Sequence, residues 1–267
     1  MDLSHIDLDL ERLIRRTGEF AVEEFNHFST DRIEYKGDNN PFTYVDVTAE
    51  EMLKTGCNRL IPLSGFINEE TENELSKNGF TWIIDPIDGT SNFMSGIPHF
   101  SISVALQYEE ETILGYVYEP VTKGLYRAQR GKGATLNGNP ISVSPFKEMN
   151  KGLVATGFPY VQFSWQEEYM KIISDVLNQA HGLRRLGSAA LDLAYVACGK
   201  LTGFFEYNLN PWDVAAGALL VTEAGGKVTA WDGGEEFMNR RQILATNGKT
   251  HQQMLEIIKA RTHSLNI

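Results

Sequence analysis

The sequence predicts a mixed α/β protein in which helices are layered on sheets. Residues 80–128 contain apolar segments of strand type separated by turn signals, which is typical of neighbouring antiparallel strands. From about Lys151 onward, strand-like segments alternate with segments at helical spacing. Elements of both kinds must bury their apolar faces against one another, so layers are expected. The change of pattern near residues 145–152 divides the chain into an N-terminal α+β subdomain, 1–148, and a C-terminal α/β subdomain, 149–267.

The N-terminal half begins with helices. Apolar residues at helical spacing predict an amphipathic helix over residues 5–28. Thr48 and Glu51 have the spacing of a capping box, which predicts a second helix from Ala49 to about Leu60. The strands predicted next cover residues 80–84, 102–108, 113–118 and 124–128, and Asn137-Gly138 predicts a tight hairpin turn after them.

The C-terminal half alternates the two kinds of element. Strands are predicted over residues 153–156, 201–206, 227–230 and 243–246. Helices are predicted over residues 165–180, 189–197, 214–224 and 252–261. Gly225-Gly226 is a typical stop signal for the third of these helices.

Composition limits the classes of function. With 42% hydrophobic and 22% charged residues, the chain is an ordinary soluble globular protein. Its net charge of −11 argues against non-specific nucleic-acid binding, which favours basic surfaces. Cys57 and Cys198 lie far apart in apolar helical contexts and are expected to be buried, reduced thiols. No stretch resembles a signal peptide or approaches the ~20 apolar residues of a membrane span, so we expect a cytoplasmic protein without membrane contact.

The stretch Trp82–Phe93 is the most informative of the chain. It starts as a buried strand and ends in a predicted turn with two carboxylates, Asp85 and Asp88, followed by the Thr90 hydroxyl. Divalent cations such as Mg²⁺ prefer oxygen ligands of this kind. Gly89 allows a sharp turn whose N–H groups can face an anion. A plain surface turn is the alternative, because Asp-Gly and Pro are common turn residues.

Three further acidic segments strengthen the metal-site interpretation. Asp213 stands at the start of an Ala- and Gly-rich helix, where it could also serve only as a cap. Glu69 and Glu70 follow an extended apolar segment, so their side chains should point to opposite sides; a solvated acidic loop is the alternative. Asp46 precedes the second predicted helix and could be a capping or turn residue.

These segments together resemble the signatures of the inositol monophosphatase family of Mg²⁺-dependent, lithium-sensitive phosphatases. Asp85-Pro-Ile-Asp-Gly-Thr-Ser-Asn-Phe93 is similar to the family's first signature, and Trp212-Asp-Val-Ala-Ala-Gly217 to its second. Glu69-Glu70 matches the acidic pair, and Phe42–Asp46 resembles the early Val-Thr-x-x-Asp segment, with Phe in place of Val. The resemblance covers roughly residues 8–260 and implies a layered α/β/α/β/α sandwich of the inositol monophosphatase/fructose-1,6-bisphosphatase type.

The resemblance also implies roles for individual residues. Glu69, Asp85 and the carbonyl of Ile87 would hold one Mg²⁺, while Asp85, Asp88 and Asp213 would hold a second. A weaker third ion would lie near Glu69, and the turn Lys36-Gly37-Asp38 would correspond to a flap that completes its site. The catalytic set would be Thr90 and Asp46, which orient and help deprotonate the attacking water, together with Glu69. The substrate would be bound by Asp88, Gly89, Thr90, Ala189, Glu206 and Asp213.

The function implied is Mg²⁺-dependent hydrolysis of myo-inositol monophosphate to inositol and phosphate by direct attack of water, in a homodimer. Phosphatases of the same superfamily that act on histidinol phosphate, fructose 1,6-bisphosphate or adenosine 3′,5′-bisphosphate share the metal residues and stay open as alternatives. A role as an RNA- or transcription-associated factor, which some bacterial relatives have, is a further alternative, although the acidic charge makes nucleic acid a less favoured partner.

Overall fold

The computed structural model describes residues 3–29, 33–35, 41–159 and 163–263. Its helices are α1 Ser4–His27, α2 Tyr44–Leu60, α3 Thr90–Met94, α4 Gln166–Gln179, α5 Ala189–Ala197, α6 Pro211–Glu223, α7 Phe237–Arg240 and α8 His251–Thr262. The N-terminal strands are β1 Ile33–Tyr35, β2 Pro41–Thr43, β3 Gly65–Asn68, β4 Phe80–Asp88, β5 Ser101–Tyr108, β6 Glu111–Glu119, β7 Gly124–Gln129, β8 Gly133–Leu136 and β9 Asn139–Pro140. The C-terminal strands are β10 Leu153–Thr156, β11 Gly182–Arg184, β12 Gly203–Tyr207, β13 Lys227–Thr229 and β14 Gln242–Thr246.

The longer strands form two sheets. A seven-stranded sheet has the order β3-β4-β5-β6-β7-β8-β9 and is antiparallel except for the β3–β4 pair. A five-stranded sheet has the order β11-β10-β12-β14-β13, with β10 parallel to both of its neighbours. The two sheets lie on either side of the predicted boundary at residue 148, while the division of the chain into two subdomains stays a prediction.

Three helical layers cover the two sheets. Helices α1 and α2 pack on the outer face of the seven-stranded sheet, where Leu53 meets Trp82. Helices α5 and α6 lie between the sheets in a cluster that contains Val117 and Phe204. Helices α4 and α8 cover the outer face of the five-stranded sheet around Phe205. This alternation is the predicted α/β/α/β/α arrangement, which is therefore confirmed.

Small residues bring α6 close to the seven-stranded sheet. A Cβ placed on Gly115 of β6 would lie 3.0 Å from the carbonyl oxygen of Ala216 and 3.1 Å from its Cα, so helix and strand backbones nearly touch. The sequence Ala215-Ala216-Gly217-Ala218 permits this approach because its members carry little or no side chain. The N-terminal end of α6, with Asp213, is thereby held against β4 and β5.

The start of α2 differs from the sequence prediction. The helix begins at Tyr44, and its capping box is formed by Thr43 and Asp46 rather than by Thr48 and Glu51. Thr48 instead lies inside the helix, where its hydroxyl donates to the Tyr44 carbonyl at 2.7 Å. Both threonines stand three positions before an acidic residue, which is the spacing of a capping box, but only Thr43 has the extended backbone that a cap residue needs (φ −132°, ψ 163°). The predicted capping box was therefore wrong.

Other elements agree closely with the predicted ones. The hairpin turn at Asn137-Gly138 connects β8 and β9, with φ of 49° and 78° at its two central residues, as a type I′ turn requires.

Cys57 is a buried free thiol as expected, whereas Cys198 is free but only half-buried, because it lies just after the last residue of α5. Within the described part of the chain, no helix is long and apolar enough to cross a membrane.

Candidate active site

A cleft of about 300 Å³ opens where three strands end and three helices begin. The strands are β4, β10 and β12, which end at Asp88, Thr156 and Tyr207; the helices are α3, α5 and α6. Strand ends and helix starts expose unpaired backbone groups, so they are the natural place for polar ligands. The cleft is lined by residues of both halves of the chain, which include Glu69, Asp85, Ile87, Asp88, Gly89, Thr90, Ala189, Glu206 and Asp213.

An irregularity in β4 brings two carboxylates to the same cleft. The strand continues past the predicted turn to Asp88, and its pairing with β5 shifts between Asp85 and Asp88. Residues three apart on a regular strand project to opposite faces, but a bulge re-aims one of them. The Ile87 N–H donates to Asp85 Oδ1 at 3.0 Å, which stabilises the irregular backbone. Pro86, which has no N–H to donate, is tolerated at such a bulge.

Asp88 connects the two halves of the molecule. Its Oδ2 accepts hydrogen bonds from the Ser188 hydroxyl and, at 2.7 Å, from the Ala190 N–H at the start of α5. Ser188 is the N-cap of α5, and its hydroxyl also accepts from the Leu191 N–H. The Asp88 carboxylate also contributes an oxygen to the acidic cluster of the cleft.

Asp213 is the third residue of α6 and completes a capping box with Asn210. Its Oδ2 accepts from the Asn210 N–H at 2.6 Å. One oxygen from each of Asp85, Asp88 and Asp213 lies within 4.8 Å of the other two. Asp213 is therefore a cap, as the alternative interpretation proposed, and also a member of the carboxylate cluster.

Burial and mutual repulsion dominate the electrostatics of this cluster. Burial, and then the nearby charge of Asp213, raise the pKa of Glu69 well above its ordinary value. Burial and the charges of Glu69, Asp88 and Asp213 do the same to the pKa of Asp85. The charges of Glu69 and Asp85 repel each other strongly when both side chains are ionised. A buried group of this kind favours the binding of a positive charge.

Asp46 and Thr90 meet as predicted, although they are separated by 44 positions in the sequence. The Thr90 hydroxyl lies 3.2 Å from Asp46 Oδ1 and 3.0 Å from the Ile87 carbonyl oxygen, and it can donate to either. Asp46 Oδ2 accepts from the N–H and the hydroxyl of Thr43, at 2.8 and 2.6 Å. Burial raises the pKa of Asp46, while the bonds from Thr43 oppose the rise.

Gly89 forms the turn between β4 and α3. Its φ of 103° lies in the left-handed region, and a Cβ there would lie 3.1 Å from the Gly187 carbonyl oxygen and 3.2 Å from that of His99. A side chain is therefore excluded by conformation and by space. The turn places the first N–H groups of α3 at the wall of the cleft beside Asp88.

The opposite wall carries Glu206, Ala189 and several groups that sequence reasoning did not single out. Burial and the charges of Asp213 and Asp88 raise the pKa of Glu206 to about 8, while the Arg185 guanidinium opposes the rise. Asp192 also lines this wall; it is 2% exposed, and its Oδ1 accepts no hydrogen bond from the described residues. Its position three residues after Ala189 on α5 is the signal that could have identified it.

The predicted site residues thus converge, with two exceptions in detail. Asp46 does not line the cleft itself but contacts it through Thr90. Glu70 lies outside the lining, and its N–H donates to Glu50 Oε2 at 2.8 Å, while the expected split of the Glu69-Glu70 side chains stays a prediction. The proposed flap residues Lys36-Gly37-Asp38 lie outside the described residues. The roles assigned to the converging residues stay predictions.

The chemistry of the donor set fits a hard divalent cation. All ligand atoms are carboxylate or carbonyl oxygens, and the described residues bring no cysteine or histidine into the lining. Burial and the charges of neighbouring carboxylates raise the pKa values of Asp85 and Asp213, so a cation held between these groups would be stabilised. Two layered sheets with such an acidic cleft at their junction define an α/β protein with a candidate site for divalent cations.

Comparison with known proteins identifies the family. The model of the inositol monophosphatase family matches residues 2–263, so the chain belongs to this family. It is 38% identical over 245 residues to Nus factor SuhB of Escherichia coli strain K12, with 91% of this chain and 92% of the relative covered. The crystal structure of the extragenic suppressor protein suhB from Bartonella henselae superimposes with a TM-score of 0.91 at 33% identity, covering 96% of this chain and 99% of the other. The Thermotoga maritima IMPase gives 0.87 at 32% identity, with 97% and 98% covered.

Proposed function

We propose that the protein is a Mg²⁺-dependent phosphomonoesterase that hydrolyses myo-inositol monophosphate. The observation that carries the proposal is the convergence in one cleft of the Asp85, Asp88 and Asp213 oxygens with the Thr90–Asp46 pair. The family and the IMPase neighbour support a phosphatase, and the residues on the far wall support a polyol as the alcohol.

Mg²⁺ ions held by Glu69, Asp85, Asp88, Asp213 and the Ile87 carbonyl would supply positive charge for the phosphate oxygens and lower the pKa of water. The donor set is the one that Mg²⁺ prefers. By the family resemblance, two or three ions would bind per site, and Asp85 would help to hold more than one of them. Burial and the repulsion among neighbouring carboxylates raise the pKa values of Glu69 and Asp85, which supports the need for such charge.

The residues of the chain would position the reactants and move one proton. The oxygen of water forms a bond to phosphorus while the bond from phosphorus to the alcohol oxygen breaks. Asp46 accepts the proton of water through the Thr90 hydroxyl, and its raised pKa makes it a stronger base than an exposed aspartate. The alcohol oxygen takes up a proton from solvent as it leaves, and Asp46 then releases its proton to solvent, so that one water is consumed for each ester bond broken. The N–H groups of Gly89 and Thr90 would hold the phosphate at the start of α3.

The far wall favours a neutral polyol. Asp88, Ala189, Glu206 and Asp213 would contact the alcohol, and carboxylates there can accept hydrogen bonds from hydroxyl groups. A second phosphate would face the carboxylates of Glu206 and Asp192. Among the described residues, Arg185 acts on both of these carboxylates, and Arg241 also lines the cleft. The substrate assay therefore has to separate inositol monophosphate from the bisphosphate alternatives and from histidinol phosphate, which carries a cation.

The test is a phosphate-release assay with purified protein. Inositol monophosphate, histidinol phosphate, fructose 1,6-bisphosphate and adenosine 3′,5′-bisphosphate are compared at equal Mg²⁺. We expect the highest kcat/KM for inositol monophosphate, complete loss of activity in EDTA and recovery on addition of Mg²⁺. A clear preference for another substrate would refute the inositol assignment but leave the phosphatase assignment. Full turnover without metal would refute both the metal site and the mechanism.

A second candidate function is an association with RNA or with the transcription machinery. The name Nus factor carried by the Escherichia coli relative is the observation that favours it. The net charge of −11 makes a protein partner easier to accommodate than RNA. Binding that persists in a phosphatase-inactive Asp85→Asn variant would separate this role from catalysis. A cytoplasmic location and a homodimer stay part of the proposal, and sedimentation of the purified protein tests the dimer.

A further inference from the structure

Gly157 and Glu206 are neighbours across the end of a parallel strand pair. In the pairing of β10 with β12, Val154 lies opposite Gly203 and Thr156 opposite Phe205. Gly157 and Glu206 are the residues that directly follow Thr156 and Phe205. Because residues at the same register of paired strands project to the same face, a side chain at 157 would point beside that of Glu206. Both residues line the cleft.

The Glu206 carboxyl group fills the space above Gly157. A Cβ placed on Gly157 would come within 3.0 Å of Oε1, Cδ and Oε2 of Glu206 at once, and real Cβ atoms essentially never come that close to a neighbour. Gly157 does not have a positive φ, so its backbone would accept alanine. A side chain at this position is therefore opposed by the Glu206 carboxyl group and not by the backbone conformation.

The backbone of Gly157 cannot easily move away to make room. Its carbonyl oxygen accepts a hydrogen bond from the Tyr169 hydroxyl at 2.8 Å. The preceding residue, Thr156, donates its hydroxyl to the Phe205 carbonyl at 2.8 Å. Tyr169 is itself buried in the outer core among Trp165 and Trp231. An added side chain would therefore displace the Glu206 carboxyl group rather than the strand.

We infer that Gly157 is a specificity-determining position, because its missing side chain leaves the space that holds the Glu206 carboxyl group on the alcohol side of the cleft. This inference rests on the proposed function for the identity of the substrate, but the contact itself does not. Gly157 acts through Glu206 and is a positioning residue. Displacement of Glu206 should weaken the binding of a polyol and relax the exclusion of a second phosphate.

A double-mutant cycle of Gly157→Ala and Glu206→Ala tests the inference, with KM and kcat for inositol monophosphate as readouts. Glu206→Ala removes the atoms that the new Cβ would meet. We expect Gly157→Ala to raise KM about tenfold with little change in kcat, and to add less than about twofold in the Glu206→Ala background. The kcat/KM ratio of fructose 1,6-bisphosphate to inositol monophosphate should rise with Gly157→Ala. Gly182→Ala on the edge strand β11, whose Cβ would meet Arg184 and Leu153 at a tolerable 3.3 Å, is the matched control and should leave KM unchanged.

The same cycle is read in thermal melts, which need no substrate. Gly157→Ala should lower the Tm of the wild type but lower it less when Glu206 is already alanine. Equal effects of Gly157→Ala in both backgrounds, on Tm and on KM, would overturn the inference. If the melts show coupling but Glu206→Ala leaves KM unchanged, the positioning contact stands while the specificity role falls with the proposed placement of Glu206 on the alcohol side. If KM shows coupling but the substrate panel prefers another phosphomonoester, only the inositol assignment fails.

Discussion

Replacing Asp85 with asparagine should remove the response of the protein to Mg²⁺ while sparing its fold. Asp85 lies beside Glu69, Asp88 and Asp213, and its pKa is raised by their charges as well as by burial. Asparagine keeps the shape of the side chain and an oxygen for the Ile87 N–H, which now bonds Asp85 Oδ1 at 3.0 Å. The substitution also removes one of the mutually repelling charges. The metal-free variant should therefore melt at or above the temperature of the metal-free wild type.

The size of the effect follows from ligand linkage. A ligand present at 100 times its Kd stabilises the state that binds it by about 2.7 kcal/mol. For a chain of this size each kcal/mol corresponds to roughly 2–4 °C in Tm, so saturating Mg²⁺ should raise the Tm of the wild type by about 5–11 °C. Asp85 is the proposed bridge between two ions, and its loss should reduce this rise to about a degree or less.

The assay is a thermal melt in EDTA and in a series of Mg²⁺ concentrations, with phosphate release measured in parallel. Glu70→Gln is the matched control, because it removes a neighbouring carboxylate outside the cleft lining. This control should keep the full Mg²⁺ shift and most of the activity. The reasoning is refuted if Asp85→Asn retains the shift, or if Glu70→Gln loses as much of it.

Three further outcomes follow from the site. Thr43→Ala removes the N-cap of α2, so it should lower the free energy of unfolding by about 1 kcal/mol, and it should also lower kcat because it releases Asp46. Thr43→Ser should keep both the stability and kcat, and Thr48→Ala should change Tm little. Thermal melts and steady-state kinetics of the three variants check these outcomes. Burial raises the pKa of Glu206 from 4.5 for the free residue to about 8 in the metal-free protein. The neutral carboxyl group therefore stabilises the folded state fully below about pH 4.5, and this contribution is lost as the pH rises through 8. Its upper bound is about 5 kcal/mol of unfolding free energy. Glu206→Gln should therefore raise the Tm in EDTA at pH 9 and leave it nearly unchanged at pH 4.5. If Li⁺ binds to a product complex, its inhibition in steady-state kinetics should be uncompetitive or mixed with respect to substrate. Asp213→Asn should weaken this inhibition together with turnover. Purely competitive inhibition would contradict binding of Li⁺ to a product complex.

Much of the fold could be predicted because its signals are local. The strand 153–156 and the helix 189–197 agree with the structure to the residue, since both are bounded by clear changes of pattern. The start of α2 was missed for a physical reason. Thr43 and Thr48 each precede an acidic residue by three positions, and only the backbone conformation at Thr43, which follows its pairing in β2, decides which one caps the helix.

The site could be predicted as a set of residues but not as a geometry. The acidic signatures gave the members of the cluster, yet the sequence indicated a turn after Ile84, where the structure has a strand that bulges and continues to Asp88. Pro86 is read as a turn signal because proline seldom occurs within a strand. Only the pairing of β4 with β5 shows that the proline lies in a bulge, and such pairing between distant residues leaves no local signal.

Asp46 shows why a structural and a functional interpretation of one residue need not compete. One of its oxygens closes the capping box with Thr43, which fixes the rotamer of the side chain. The other oxygen is then directed at the Thr90 hydroxyl in the cleft. Asp88 and Asp213 likewise accept hydrogen bonds from backbone N–H groups at a helix start, and each also contributes an oxygen to the carboxylate cluster. Hydrogen bonds at helix starts thus fix these three carboxylates before a ligand binds, which lowers the entropy cost of ordering them at that moment.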